Sequence, residues 1–279
     1  MTELPNVFIR VSNGAENIAL VRQALSGVAD RLELAPGVIN DVRTAATEAC
    51  NNVALHAYRG DEGPLEVEIG CRSHALEVVV RDHGTGIRPR IRAQSESALG
   101  IGIAIIQALA RRVEFNYPPE GGTEVRMEFA ARPVDGLAKV LHWVPRESPA
   151  EGLASTTVLA IAPSQLAQSV LPRVLALLGA HASLTTDRIS DLLLISDAVV
   201  SQARETGGGD EVRLVARVQR RRIELALGPL RDGAANALLA ASCGNGSGTL
   251  IGTLSDEHRI DDARGASGET LVLALADRR

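Results

Sequence analysis

A chain of 279 residues that is 45% hydrophobic and 23% charged has the balance of a globular protein, which excludes disordered and fibrous classes. At about one domain per 150 residues it should fold as two domains. The formal charge of −5, with Arg spread among Asp and Glu, argues against a nucleic-acid surface, because phosphate binding needs clustered Lys and Arg.

The chain opens with a short strand predicted at Val7–Val11, then a helix after Ser12-Asn13 in which Ile18, Val21, Leu25 and Val28 repeat at helical spacing. A second helix follows Pro36, which pre-sets its first turn, and runs to about Ala57. Strand patterns at Leu65–Cys71 and Leu76–Arg81, a glycine turn at Asp82–Gly86, a loop, a helix at Ile101–Arg112 and an alternating strand at Glu124–Phe129 complete the first half. Helices and strands mixed in this way imply an α/β class, an α+β two-layer sandwich. Prolines and charges around a short apolar stretch mark residues 135–152 as a linker between domains at 1–134 and 153–279.

Cys50, Cys71 and Cys243 are odd in number and lack ligand spacing, so neither a disulfide framework nor a zinc site is expected, and a cytoplasmic setting fits. Met1 to Asn6 shows no charged-then-apolar leader pattern. The longest nearly apolar run, Leu99 to Ala110, is too short to span a bilayer, so no membrane contact is expected. Arg220-Arg221-Arg222 lies between apolar residues of a strand pattern and reads as a solvated hairpin end.

Chemistry concentrates in the first half. On the second helix Glu48, Asn52 and His56 stand four residues apart along one face, beside an apolar face of Val42, Ala45, Ala49 and Val53. An ordinary polar helix face would look the same, but Asn52 can offer a neutral oxygen to Mg²⁺ and Glu48 can take a proton from an attacking hydroxyl. The strand Val78-Val79-Val80-Arg81 ends in Asp82-His83-Gly84-Thr85-Gly86, a DxGxG pattern. An ionised Asp82 only accepts hydrogen bonds, which suits the exocyclic amine of adenine, while Gly84 and Gly86 let backbone approach a ring; a tight turn after a strand is the plainer alternative. Gly100 and Gly102 open a helix whose free amides can receive phosphate, or simply join a loop to a capped helix. Gly121-Gly122-Thr123 precedes the last strand.

Together these elements resemble the RsbW-type serine kinases, anti-sigma factors of the GHKL ATPase superfamily, over about residues 5–130. The family's N box, Glu-Ala-x-x-Asn-x-x-x-His-Ala, is matched by Glu48-Ala49, Asn52 and His56-Ala57. Its DxGxG box falls on Asp82, Gly84 and Gly86, its lid end on Gly100 and Gly102, and its GGT turn on Gly121-Gly122-Thr123. The resemblance implies a Bergerat-type fold binding ATP and Mg²⁺. Glu48 would be the catalytic base, Asn52 the metal ligand, Asp82 the adenine reader and Gly100–Gly102 the phosphate clamp, with Gly84, Gly86 and Thr123 also lining the nucleotide. It further implies phosphorylation of a STAS-domain anti-anti-sigma protein and binding of a sigma factor. The alternative is a non-catalytic ATP-binding module that switches partners without moving phosphate. His56 is expected to be a packed structural histidine.

The second half repeats the first at an offset of about 150 residues: Phe8-Ile9-Arg10-Val11 meets Val158-Leu159-Ala160-Ile161, and Leu34 meets Leu184. Ala198 and Gln202 fall where Glu48 and Asn52 stand, and Pro229 falls nearest the place of Asp82. Residues 153–279 therefore read as a degenerate copy without ATP chemistry. If the family pairs through its ATPase domains, that copy would make an intramolecular pseudo-dimer in place of a homodimer.

Overall fold

Every second residue is apolar in the strands of the first unit, and that period of two sorts each sheet into a dry face and a charged one. The strands are β1 (Val7–Ser12), β2 (Pro64–Cys71), β3 (Ala75–Asp82), β4 (Arg112–Asn116) and β5 (Thr123–Ala130). They pair antiparallel in the order β1-β2-β3-β5-β4. In the computed structural model the chain divides into Met1–Ala154 and Ser155–Arg279. Described residues are 4–72, 74–85, 98–119, 121–132, 137, 140–142, 153–205, 211–240, 242–243, 249–262 and 268–277.

Register lays Val11 opposite Leu65, Leu65 opposite Asp82 and Asp82 opposite Thr123, so these four form one row across the sheet. The rows behind it, with Ile9, Val67, Val80 and Val125, then Val7, Ile69, Val78 and Met127, are buried and apolar. Each such side chain removed from water contributes about 1.5–3 kcal/mol. Helices α1 (Ile18–Arg31) and α2 (Pro36–Asn52) supply the opposing layer. Asn17 fixes the start of α1 by donating from Nδ2 to Ser12 Oγ at 2.8 Å, and Pro36 opens α2 at its first turn. The small buried residues Ala45, Ala46 and Ala49 let α2 lie close to its neighbours.

The α/β class expected from the residue pattern is the one adopted. Two boundaries differ. The helix expected at Ile101–Arg112 is α3 (Ala98–Leu109), and Arg112–Asn116 instead form β4, an edge strand in which Val113 and Phe115 alternate with charged or polar residues. Its brevity and its charges hid it beside the helical run. Within the stretch expected as a linker, Leu137 and Leu141 are buried. They pair with the start of the chain, Asn6 Nδ2 donating to Leu137 O at 3.2 Å and Leu141 N to Pro5 O at 2.9 Å.

The second unit runs β6 (Thr156–Ile161), α4 (Ser164–His181), α5 (Thr186–Glu205), β7 (Val212–Gln219), β8 (Arg222–Leu230) and α6 (Ala234–Ala240). There follow β9 (Ser242–Cys243), β10 (Thr249–Leu250), α7 (Ile251–Leu254), β11 (Glu257–Asp262) and β12 (Glu269–Ala276). Its main strands pair in the order β6-β7-β8-β12-β11, the same path as β1-β2-β3-β5-β4. The turn between the first two helices also recurs. Leu34 N donates to Ala29 O at 3.1 Å with Glu33 at φ 49°, and Leu184 N donates to Gly179 O at 3.0 Å with Ser183 at φ 56°. The place that Asp82 holds in the first unit falls at Pro229-Leu230. The β7–β8 register, with Leu214 opposite Leu227, carries Val212 to Pro229 as expected from sequence. Across a register shift in β12, Leu230 faces Glu269 after Gly268, as Asp82 faces Thr123 after Gly122.

Candidate functional site

On α2, Val42, Ala45 and Ala49 are buried, which leaves Glu48 half-buried at the margin and Asn52 7% exposed. From Val53 to Ala57 the helix widens into a single π turn, a feature common at functional sites. An extra residue in that turn breaks the stacking of one side chain above another. His56 therefore does not continue the stripe of Glu48 and Asn52, and it is exposed where packing was expected.

The π turn delivers the carbonyl of Ala57 to the end of β3, where it accepts from Thr85 N at 3.0 Å. A Cβ on Gly84 would stand 2.1 Å from that same oxygen, so only glycine allows the approach. Gly122 N donates to Gly84 O at 2.9 Å, and Gly122 adopts φ +86° with its missing Cβ 2.0 Å from Asp82 O. Helix end, DxGxG turn and GGT turn are thus stitched to one another through backbone. Gly86 lies outside the described residues, as does the loop up to residue 97.

Asp82 sits at the centre of these stitches, 1% exposed. Its Oδ1 accepts from Gly84 N at 2.9 Å, whereas its Oδ2 is buried without a hydrogen-bond partner. Burial raises its pKa, opposed by the Gly84 amide and by the hydroxyl and amide of Thr123. A buried acceptor left open costs about 1–3 kcal/mol, an arrangement that a ligand donor would relieve.

Gly102, inside the first turns of α3, faces the other two groups. A Cβ there would lie 3.1 Å from Glu48 Oε2 and 3.5 Å from Asn52 Oδ1, so glycine lets the helix start pack closely on carboxylate and amide. Gly100 belongs to the same helix start. The structure therefore gathers Glu48, Asn52 and Gly102 in one place, and Asp82, Gly84 and Thr123 in another, linked by the end of α2. On its outer side Glu48 also lines a cleft of about 340 Å³ with Arg22, Asn40, Arg43, Thr44 and Thr47. Among the described residues no group of His, Cys, Asp and Glu is arranged to hold a metal by itself, so a cation here would rely on the Asn52 oxygen together with oxygens of its ligand.

Sequence reasoning missed the charged face of the sheet. Arg10 donates from Nε and Nη2 to Glu66 Oε1 at 3.0 and 2.7 Å, and His83 Nε2 lies 3.1 Å from the same oxygen. Arg81 reaches Glu66 at 3.5 Å and Glu68 at 3.0 Å, and also pairs with Glu124. Although burial pushes its carboxyl up, His83 and Arg10 hold Glu66 down at about 2. Alternation along one strand says nothing of which charges on neighbouring strands meet. A cue was the opposite signs of Arg10, Glu66 and Arg81, which only strand register brings side by side.

Residues 11–129 match the family described as histidine kinase-like ATPase domain. Serine-protein kinase RsbW from Bacillus thuringiensis (strain Al Hakam), Bacillus cereus (strain Q1) and Bacillus anthracis are each 33% identical over 84 residues, 30% of this chain and 52% of theirs. The chain spans about half the length of these curated relatives. A solved structure, crystal form III of TP0453, aligns over 99% of this chain and 95% of that one at 10% identity and a TM-score of 0.33, too low to establish a common fold.

Proposed function

Taking residues 11–129 as a histidine kinase-like ATPase domain, we propose that this chain is an ATP- and Mg²⁺-dependent serine/threonine protein kinase of the anti-sigma-factor type. Its phosphoacceptor would be a STAS-domain anti-anti-sigma protein, and a sigma factor its second partner. The observation that carries this reading is the junction of Glu48, Asn52 and Gly102, a base and a neutral oxygen ligand held against the start of a helix, the kind of terminus that receives phosphate. Support also comes from Asp82, whose open Oδ2 matches the 6-amino group of adenine.

In this reading Asp82, Gly84 and Thr123 orient the base, with Gly86 beside them by resemblance, and Gly100 and Gly102 admit the phosphates. The Asn52 oxygen holds the cation, which when bound neutralises phosphate charge. Glu48 accepts the proton of the acceptor Ser or Thr hydroxyl as its oxygen takes the γ-phosphoryl group, leaving ADP. The cleft beside Arg22 and Arg43 gives that hydroxyl a route to Glu48. The second unit, with Pro229-Leu230 at the place of Asp82, is proposed to be a degenerate copy of the domain that binds no nucleotide.

Labelled ATP, Mg²⁺ and a panel of STAS proteins test the reading. The chain is expected to transfer label to a Ser or Thr of one of them, and Glu48→Gln should keep ATP affinity while transfer falls about 10²–10⁴-fold. Binding without transfer to any panel member would leave the non-catalytic switching module as the better account.

A further inference from the structure

Tyr58 closes the π turn at the end of α2, yet the scheme above gives it no task. Its hydroxyl donates to Pro64 O at 2.6 Å and accepts from His83 N at 2.8 Å. The first bond fixes the rotation of the O–H, which leaves a lone pair directed at the His83 amide. The ring has its own seat. An ideal Cβ on Gly63 would lie 2.2 Å from Tyr58 Cε1, so the aromatic face rests on bare backbone. Asn13 clamps that backbone, donating from its own N to Gly63 O at 2.9 Å and accepting from Gly63 N at 3.1 Å through Oδ1.

The residue held in this way is the one after Asp82. His83 N belongs to the peptide that leaves Asp82, and Gly84 N, one peptide further on, engages Asp82 Oδ1. With Oδ1 used by the Gly84 amide, Thr123 acting on the carboxylate from the neighbouring strand and the following peptide pinned, Oδ2 has a fixed direction. His83 is steadied a second time by the contact of its Nε2 with Glu66 Oε1. The other links between the end of α2 and this turn, from Ala57 O to the amide and hydroxyl of Thr85, act two residues later.

We propose that Tyr58 is a positioning and specificity residue: its hydroxyl fixes the Asp82 carboxylate as an acceptor aimed at a purine bearing an amino group at position 6. This inference rests on the ATP-binding reading above. A carboxylate acceptor pairs with the 6-amino group of adenine and faces the 6-oxo group of guanine as acceptor against acceptor, a mismatch that discriminates only while the carboxylate cannot turn away. Tyr58→Phe keeps the ring on Gly63 and deletes the single oxygen that pins His83 N.

The experiment is calorimetry of the full chain with Mg-ATP and with Mg-GTP, for wild type and Tyr58→Phe, together with thermal melts. ATP affinity should fall about three- to tenfold, the scale of one hydrogen bond, and the ATP-over-GTP preference should shrink by a similar factor. With a phosphoacceptor, KM for ATP should rise while kcat at saturating ATP stays unchanged, because Glu48 and Asn52 are untouched. Wild type that binds no ATP would sink the nucleotide reading and this inference with it. Wild type that binds, with a Tyr58→Phe variant of unchanged affinity, would overturn the inference alone. Weaker ATP binding at an unchanged ATP-to-GTP ratio would also overturn it, assigning Tyr58 to general stability.

Discussion

Asp82 places a carboxylate at 1% exposure with one oxygen unpartnered, and its pKa is raised chiefly by burial. A raised carboxyl pKa means that the fold favours the protonated form, so the ionised group at neutral pH works against the nucleotide-free state. Asp82→Asn is expected to leave the melting temperature equal to or above wild type without nucleotide, and to lower ATP affinity at least about tenfold. Melts paired with calorimetry check this; a lower melting temperature with ATP affinity intact would contradict it. Glu66 has the opposite sign. Its folded pKa is about 2 against an ordinary 4.5, so its contribution is present above about 4.5 and lost as the pH falls toward about 2. Glu66→Gln should flatten the acid limb of a stability-against-pH curve in that window. It should also cost about 3–5 kcal/mol at neutral pH, because Arg10 and Arg81 lose a buried counter-charge. An unchanged acid limb would remove Glu66 from the acid response.

At the scale of elements, the turns matter more than the helices and strands they join. Gly122 holds φ +86° with Asp82 O 2.0 Å from where a Cβ would stand, whereas nothing lies within 4 Å of a Cβ on Gly37 in the first turn of α2. Gly122→Ala is therefore expected to destabilise by about 1–3 kcal/mol and to weaken ATP binding by displacing Asp82. Gly37→Ala should stabilise by up to about 1 kcal/mol without touching binding. Denaturant titrations of the two variants give the comparison, and equal effects would show that the turn geometry is not what Gly122 supplies. The π turn at Val53–Ala57 is the other decisive element, since it both turns His56 outward and carries Ala57 O to Thr85 N. Helical spacing, read from the sequence, assumed an unbroken period of 3.6 and so extended the polar stripe one residue too far.

At the scale of the whole chain, two units follow one strand order, and the motif positions differ between them. Where the first unit has Asp82 opposite Thr123, the second has Pro229-Leu230 beside Glu269, and neither side chain offers adenine an acceptor. Glu269 instead accepts from Gly233 N and from Ala235 N, the latter at 3.2 Å, within the second unit itself. Calorimetry should therefore find one ATP bound per chain, with Asp82→Asn weakening that single site and uncovering no second one. Two equivalents per chain would overturn the degenerate reading of residues 153–279. Among the described residues no helix is long and apolar enough to cross a membrane.

Sequence alone determined the α/β class and the order of most main elements and singled out Glu48, Asn52, Asp82 and Gly102 as candidates, because periodicity and local motif spacing are written along the chain. Tertiary structure decided which of these meet. Gly102 comes to Glu48 and Asn52 only by helix packing. Tyr58 meets His83, and Arg10 meets Glu66, across gaps in sequence that only strand register and loop closure span. Whether Asp82 keeps an oxygen open was equally beyond reach of spacing, since hydrogen-bond satisfaction is a property of three-dimensional neighbours. The same reason applies at Pro229 and Leu230: a one-residue shift leaves an apolar pattern almost unchanged in sequence, and only the strand pairing shows that the register shifts between Glu269 and Leu271.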